Sequence, residues 1–502
     1  MVETGFWRIG GLLLLLHTAM ELRFISHKSN SRLILIFMGW GMDATPVASL
    51  AKPGYDILVV SDYTGFGCAD MACLEKTAEK YGEIVVIAWS FGVRIAAGFL
   101  RSAEGKLPVT RTVAVNGTTT HIDDKRGIPV AIFNGTLERL TPASVRKFRR
   151  RMFADAASFA AFQESEPKRT FESLSAELST FAGIAPEPTD PAQWDIAIGG
   201  TADAIFPIAN QQLAWQGVTF RQIDGMPHYP DFQTIIDREI IDKDLVAARF
   251  AAASATYIDN ASVQIDVAAR LWDIAMPHIA RYITANIGHR QHVIEIGPGR
   301  GALTSLYSNT LKDCEIELCD IAPIPPDHMP TGALFRCCDA ETDLHSRSDS
   351  SIDIILSAST LQWFNSPASF LRDAVRVLRP GGVAAFSYFG PQTYREISAI
   401  TGNSLNYPSS ATLCEAATAN GAEIIHNSES HISGIFPDVA TLLRHIKLTG
   451  VNALGTGNTA DALRLMRNYP LSPTGEAALT YNPVYLIIRK KTNVSKPVLS
   501  IY

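Results

Sequence analysis

The residues that could do chemistry fall into two groups, one in each half of the chain. The first centres on a serine. Ile84 to Ala88 is an apolar run of strand type, it meets Trp89-Ser90-Phe91-Gly92, and the helical pattern Val93 to Leu100 follows. A serine on so sharp a strand-to-helix turn has its hydroxyl lifted clear of the sheet, and its flanking positions must be small. Gly92 meets that demand, while Ala88 stands where glycine is usual. A serine hydroxyl is a weak nucleophile, needing a base in contact and a third group to orient that base. Two later strand ends supply candidates. Gln193 to Gly200 runs into Thr201-Ala202-Asp203, and Val218 to Ile223 runs into Asp224-Gly225-Met226-Pro227-His228. His228 would take the serine proton; Asp203 would fix the tautomer and stabilise the imidazolium. A turn histidine or a capping aspartate alone would carry little weight. Ser90, Asp203 and His228 in that order, each at a strand end, point to hydrolysis by an activated serine.

The elements around them follow. Glu21 to Ile25 and Leu33 to Phe37 read as strands, the second leading into Gly39-Trp40-Gly41-Met42-Asp43. The order of the three strand-end residues and this early glycine turn resemble the α/β-hydrolases. The resemblance implies that the backbone N–H groups of Trp40 and Phe91 stabilise the oxyanion. Ile57 to Val60, Val109 to Val115 and Pro129-Val130-Ala131-Ile132-Phe133 are expected to continue the sheet. From about 140 to 182 the pattern turns helical, where such folds carry a lid. It holds Arg146, Lys147, Arg149, Arg150 and Arg151, with Lys168 and Arg169 later. Such a run is either a solvated face or a dock for an acidic protein.

The resemblance then narrows. The turn Gly39 to Asp43, Trp89-Ser90-Phe91-Gly92, Gly199-Gly200-Thr201-Ala202-Asp203 with Pro207 and Asn210-Gln211, and Met226-Pro227-His228-Tyr229-Pro230 look like the BioG-type esterases of biotin synthesis. These hydrolyse pimeloyl-carrier-protein methyl ester. The resemblance covers residues 20 to 235 and implies an acyl carrier protein as partner; by charge and spacing Arg146, Lys147, Arg150 and Arg151 are the candidate docking residues.

The second group opens with the strand pattern His292 to Ile296 and the turn Gly297-Pro298-Gly299-Arg300-Gly301. Such a turn lets a ligand approach the backbone closely. Glu315 to Asp320 is a second strand ending in an acid placed for ribose hydroxyls. A dinucleotide site opens the same way, but the third glycine departs from G-x-G-x-x-G spacing. Glu295 before the turn, Asp339-Ala340, the strand Ile352 to Ser357, and Leu378-Arg379-Pro380-Gly381-Gly382 look like the methyltransferases that bind S-adenosylmethionine. Glu295, Gly297, Gly299, Gly301, Asp320, Asp339, Ala340 and Ser357 are the implied cofactor residues. Phe250 with Tyr257, Ser359 to Trp363, Phe389 to Thr393, His445 to Leu454 and Leu479 to Tyr485 narrow it further. They resemble the BioC-type malonyl-carrier-protein O-methyltransferases over residues 245 to 492. Tyr257, Gln362 and Trp363 are candidate substrate residues. Ionised carboxylate is already a nucleophile, so no general base is nominated.

Composition bounds the rest. The chain has 502 residues, 47% hydrophobic and 19% charged, with a net charge of −6, which argues against a general nucleic-acid binder. Seven cysteines without a C-x-x-C pair argue against a disulfide framework or a zinc site, so no metal is expected and a reducing cytoplasm is. The apolar run Ile9 to Leu16 is too short to span a bilayer, and no stable membrane association is expected. Residues 1–19 read as a non-structural extension, or as a signal sequence without a clear cleavage site. The expected architecture is two α/β domains: an α/β-hydrolase with a helical lid over 20–240 and a Rossmann-like class I methyltransferase over 241–502. Together the resemblances imply a bifunctional enzyme of biotin synthesis. It would methylate malonyl-carrier protein and hydrolyse pimeloyl-carrier-protein methyl ester. The residues alone leave open a general carboxylesterase fused to a small-molecule methyltransferase.

Overall fold

The computed structural model describes residues 7–9, 12–14, 20–253, 260–402, 405–449 and 459–492. The chain divides into two compact units, Met1–Ile240 and Ile241–Tyr502.

The first unit is built on β1 (Trp7–Ile9), β2 (Leu12–Leu14), β3 (Glu21–Ser26), β4 (Arg32–Phe37), β5 (Tyr55–Ser61), β6 (Glu83–Trp89), β7 (Val109–Val115), β8 (Ile196–Ala202) and β9 (Phe220–Pro227). Their order is β1-β2-β3-β5-β4-β6-β7-β8-β9. Strands β4 to β9 are mutually parallel and β3 is antiparallel to β5. Parallel strands covered on both faces are near-continuous apolar runs rather than alternating; β5 and β6 are buried at every position and polar only at Asp56, Ser61 and Glu83. Strands β1 and β2 lie in the stretch that reads as non-structural from sequence. Helices α1 (Cys68–Ala78) and α2 (Gly92–Ala103) connect the central strands.

Between β7 and β8 stand α3 (Val130–Glu138), α4 (Pro142–Arg151), α5 (Ala156–Gln163) and α6 (Phe171–Gly183). The stretch Pro129 to Phe133, expected as a strand, is instead the start of α3. Pro129 caps the helix from outside, and only Phe133 of α3 is buried, with Val130 39% and Ile132 54% exposed. A central strand would bury them all. The helical insertion therefore begins ten residues earlier than the sequence suggests. α4 starts where Thr141 and Ser144 form a reciprocal capping box and Pro142 takes the first turn. Helices α7 (Ile208–Ala214) and α8 (Phe232–Glu239) complete the unit.

The second unit begins with α9 (Lys243–Ala253) and the helix Ser262–Ala285. Its strands are β10 (His292–Ile296), β11 (Glu315–Asp320), β12 (Leu334–Cys337), β13 (Ile352–Ala358), β14 (Leu378–Phe389), β15 (Ala422–Glu429), β16 (Ile432–Phe436), β17 (Ala477–Tyr481) and β18 (Pro483–Lys490). The main sheet runs β12-β11-β10-β13-β14-β18-β15, and β16 pairs with β17 apart from it. β18 is antiparallel to both its neighbours, and the other pairs are parallel. The chain winds outward in both directions from β10, which opens a crevice at the carboxyl ends of β10 and β11. Apolar clusters cover both faces of this sheet, and a third joins β16 and β17 to the helix Val439–Leu448. No described helix is long and apolar enough to cross a membrane.

Candidate active sites

In the first unit five neighbouring parallel strands each deliver a residue at the same edge: Trp40 after β4, Ser90 after β6, Asn116 after β7, Asp203 after β8 and His228 after β9. Ser90 has φ of 58°, a left-handed conformation that a side-chain-bearing residue adopts only under constraint. The constraint is close packing. A Cβ on Gly92 would lie 2.4 Å from the Phe37 carbonyl oxygen, and one on Gly117 would lie 2.3 Å from that of Ser90. His228 Nε2 is 3.1 Å from Ser90 Oγ, and His228 Nδ1 is 2.9 Å from Asp203 Oδ2. The carboxylate requires the proton on Nδ1, leaving Nε2 to accept from the serine. Asp203 Oδ1 accepts the N–H groups of Ile205 (2.7 Å) and Phe206 (2.9 Å), and Gln211 Nε2 donates to Oδ2 at 3.3 Å. The histidine is gripped by its own carbonyl, which accepts from Trp89 Nε1 at 2.8 Å and Asn116 Nδ2 at 2.9 Å. Phe206 stacks on the imidazole at 6.0 Å.

The N–H groups of Trp40 and Phe91 donate to no partner among the described residues, although both residues are buried. Phe91 also stands at the amino end of α2, where the helix dipole favours negative charge. Phe91, Phe181, Phe206 and His121 form one aromatic wall. Burial pushes the His121 imidazole down to about 4, so it stays neutral at physiological pH. Its Nε2 pairs with the Phe181 carbonyl.

The basic run of α4 is not one face. Arg146, Lys147 and Arg151 are exposed. Arg149 pairs with Glu166, Arg150 donates to the Phe153 carbonyl, and Arg151 donates to the Ala204 carbonyl beside Asp203.

In the second unit the crevice is an open cleft of about 1160 Å³, solvent at its mouth included. Its walls include Glu295, Gly297, Gly299, Asp320, Asp339, Ala340 and Trp363. Gly297, Gly299 and Gly301 all have φ between 54° and 79°. At Gly297 a Cβ would fall 2.2 Å from Thr360 Oγ1, whereas at Gly299 it would meet open space. Asp320 accepts the Gly299 N–H at 3.0 Å and the Ala322 N–H at 2.9 Å, which aims its carboxylate across the turn; burial raises it from the usual carboxylate range. Glu295 is fully buried, receives Thr304 Oγ1 at 2.6 Å and Tyr307 OH at 2.7 Å, and is pushed by burial up to about 7. Asp339 caps the helix Ala340–Ser346 and lies 3.4 Å from Lys243 Nζ. An exposed backbone turn, an acid at the second strand end and an apolar wall of Phe250 and Trp363 fit a sulfonium nucleoside.

A family model described as pimeloyl-ACP methyl esterase BioG matches residues 20–235, and one described as methyltransferase domain matches 294–386. A malonyl-[acyl-carrier protein] O-methyltransferase of Bacteroides fragilis is 34% identical over 475 residues, 91% of this chain and 93% of that protein. The chain belongs to the malonyl-[acyl-carrier protein] O-methyltransferase family. A Porphyromonas gingivalis protein of the same name is 31% identical over 258 residues, 50% of this chain and 96% of that protein. The crystal structure of BioG from Haemophilus influenzae aligns with 41% of the chain and 92% of its own, at 33% identity and a TM-score of 0.35.

In this O-methyltransferase family member three sequence expectations land elsewhere. Ser357 does not line the cleft: its hydroxyl donates to the Ile296 carbonyl at 2.8 Å and ties β13 to β10. Gln362 is held by the backbone of Ser359 and Phe389 and also lies off the cleft wall, as does Gly301. Tyr257 lies outside the described residues, as does the end of the His445 to Leu454 motif. Sequence reasoning missed Lys243, a cleft residue on α9 paired with the buried Glu341 at 2.7 Å. It also missed Asn116. Neither carries a local signal, because each is defined by a partner far along the chain. Cys319 and Cys338 have sulfurs 2.9 Å apart, with Asp343 within 4.8 Å. Asp343 is already paired with Arg336 and Arg347.

Proposed function

We propose that the two units attach and remove one methyl ester on chains carried by an acyl carrier protein. The C-terminal unit methylates the free carboxylate of malonyl-carrier protein, and the N-terminal unit hydrolyses pimeloyl-carrier-protein methyl ester. Capping removes a charge that chain-elongating enzymes would reject; hydrolysis restores it. S-adenosylmethionine supplies an electrophilic methyl group to the cleft. The protein's part is alignment: Asp320 is placed for ribose hydroxyls, the open side of Gly299 admits the ligand, and Phe250 and Trp363 exclude water. In the esterase unit Ser90 attacks the ester carbonyl while His228 takes its proton. Trp40 and Phe91 N–H receive the oxyanion, and His228 returns the proton to the departing methanol. A water molecule then repeats the sequence on the acyl-serine.

The observation that carries this reading is the likeness to the Bacteroides fragilis protein, which spans both units. The exposed Arg146 and Lys147 on α4 favour an acidic carrier as partner. Seven unpaired thiols favour a reducing compartment, the cytoplasm. The test is mass spectrometry of malonyl-carrier protein after incubation with the protein and S-adenosylmethionine, beside malonyl-coenzyme A and free malonate. Gain of one methyl group on the carrier-bound acid, and loss of one from pimeloyl-carrier-protein methyl ester by wild type but not by Ser90→Ala, is expected. Turnover of the free acids alone would replace this reading with a small-molecule methyltransferase fused to a general esterase.

A further inference from the structure

The turn that carries the Trp40 N–H is held by the lid. Gly39 to Met42 form a tight turn closed by the Met42 N–H on the Gly39 carbonyl, with Gly41 at φ 74°. That bond also holds the Gly39–Trp40 peptide, the plane that carries the Trp40 N–H. Glu177 of α6, fully buried, holds the next plane, the Trp40–Gly41 peptide, from across the fold. Its Oε2 accepts the Gly41 N–H at 2.9 Å and its Oε1 accepts the Tyr63 N–H at 3.0 Å. One carboxylate therefore joins the turn after β4 to the turn after β5. Arg169 reinforces it, donating to Glu177 Oε2 at 2.6 Å and to Asp62 Oδ1 at 2.7 Å. The same helix grips the residue before Gly41 by its side chain, since Trp40 Nε1 donates to the Leu174 carbonyl at 2.9 Å. Asp43, just beyond the turn, accepts the Lys168 N–H at 2.7 Å. Three successive anchors from the 168–177 segment thus bracket the unpartnered Trp40 N–H. A buried carboxylate with two backbone N–H partners and a guanidinium is a costly arrangement for merely attaching a lid helix, which apolar packing would secure.

We infer that Glu177 is a positioning residue for ester hydrolysis, holding the Trp40 N–H where the oxyanion forms and so making the lid part of the oxyanion hole. The inference rests on the esterase reading of Ser90. It predicts a defect in the transition state rather than in substrate binding. Glu177→Gln keeps the shape but leaves only one acceptor oxygen for two backbone donors. Trp40→Phe cuts the second anchor and leaves the backbone N–H in place.

The experiment measures kcat and KM on a short p-nitrophenyl ester, affinity for a trifluoromethyl ketone, whose adduct with the serine is an oxyanion, and thermal unfolding. Both variants should lose about ten- to a hundredfold in kcat with KM within twofold, and ketone affinity should fall by a similar factor. Wild-type kcat and ketone affinity in folded Glu177→Gln would overturn the inference. So would a fall in kcat with ketone affinity unchanged, which a structural role would give. Should Glu177→Gln not fold, Trp40→Phe decides on the same two readings. Ser90→Ala, run alongside, separates the two layers. Hydrolysis surviving in Ser90→Ala would sink the esterase reading itself, whereas an inactive Ser90→Ala with a wild-type-like Glu177→Gln would sink only the role of Glu177.

Discussion

Gly92→Ala should cripple the esterase while leaving methyl transfer intact. The added Cβ would stand 2.4 Å from the Phe37 carbonyl oxygen and 2.5 Å from that of Met38. Both are main-chain atoms on the path from β4 into the Trp40 turn, so neither can swing aside. Reaching even a tight 3.4 Å contact requires the start of α2 and β4 to part by about 1 Å. That displacement falls on Ser90 and Phe91, the two residues before it. It would stretch the 3.1 Å contact of Ser90 Oγ with His228 Nε2 and pull the Phe91 N–H away from the Trp40 N–H. A 1 Å misplacement of reacting groups costs about a hundredfold in rate. Overpacking should lower stability by about 1–3 kcal/mol, or several degrees in Tm for a unit of this size. The control lies two turns along the same helix. A Cβ on Gly98 meets only the mobile end of Met71 at 3.4 Å. Gly98→Ala should be neutral or slightly stabilising, because alanine is the better helix former. The assay is p-nitrophenyl ester hydrolysis with methyl transfer by the same preparation as internal reference. A Gly92→Ala protein within threefold of wild-type kcat, or a Gly98→Ala protein equally impaired, would refute the reasoning.

Three further outcomes are expected. Gly299→Val should abolish S-adenosylmethionine binding by calorimetry, both by filling the open side of the turn and by straining a residue held at φ 54°, and Asp320→Ala should weaken it at least tenfold; unchanged binding in both would remove the ligand from this cleft. Reversing Arg146 and Lys147 to Glu should lower kcat/KM for the carrier-bound ester about tenfold at low salt, and less at high salt, while sparing p-nitrophenyl ester. Arg151 is left out because it also holds the Ala204 carbonyl, so its loss would disturb Asp203. The His292–Glu317 pair should give the methyltransferase unit a stability maximum on the acid side of neutrality. Burial alone would raise Glu317, but His292 and Arg347 overcome it and hold the carboxyl down at about 2. That contribution is full above about pH 4.3 and is lost as pH falls through 2. Hydrogen bonding to Glu317 raises His292, whose contribution is full below about pH 6.5 and lost as pH rises through its higher folded value. His292→Gln should flatten the alkaline decline in Tm; an unaltered profile would contradict this.

Much of this protein was legible because its chemistry sits where parallel strands end. A strand buried on both faces tends to a near-continuous apolar run, so β4 and β6 announce themselves, and the small or polar residues that end each run are the ones at the sheet edge. That local rule singles out Ser90, whereas Asp203, His228 and the turn Gly297 to Gly301 are legible from their order and spacing at strand ends. The same rule misread Pro129 to Phe133, because a short apolar run does not distinguish a core strand from a helix that leaves two of its apolar residues in solvent. Tertiary structure alone decided the rest. Ser357 and Gln362 face backbone carbonyls and amides instead of ligand, while Asn116, Glu177 and Lys243 meet partners about a hundred residues away. Sequence periodicity records which face of an element is buried. It holds no record of which distant backbone group a buried polar side chain will find there, since that pairing exists only once the strands and the lid have packed.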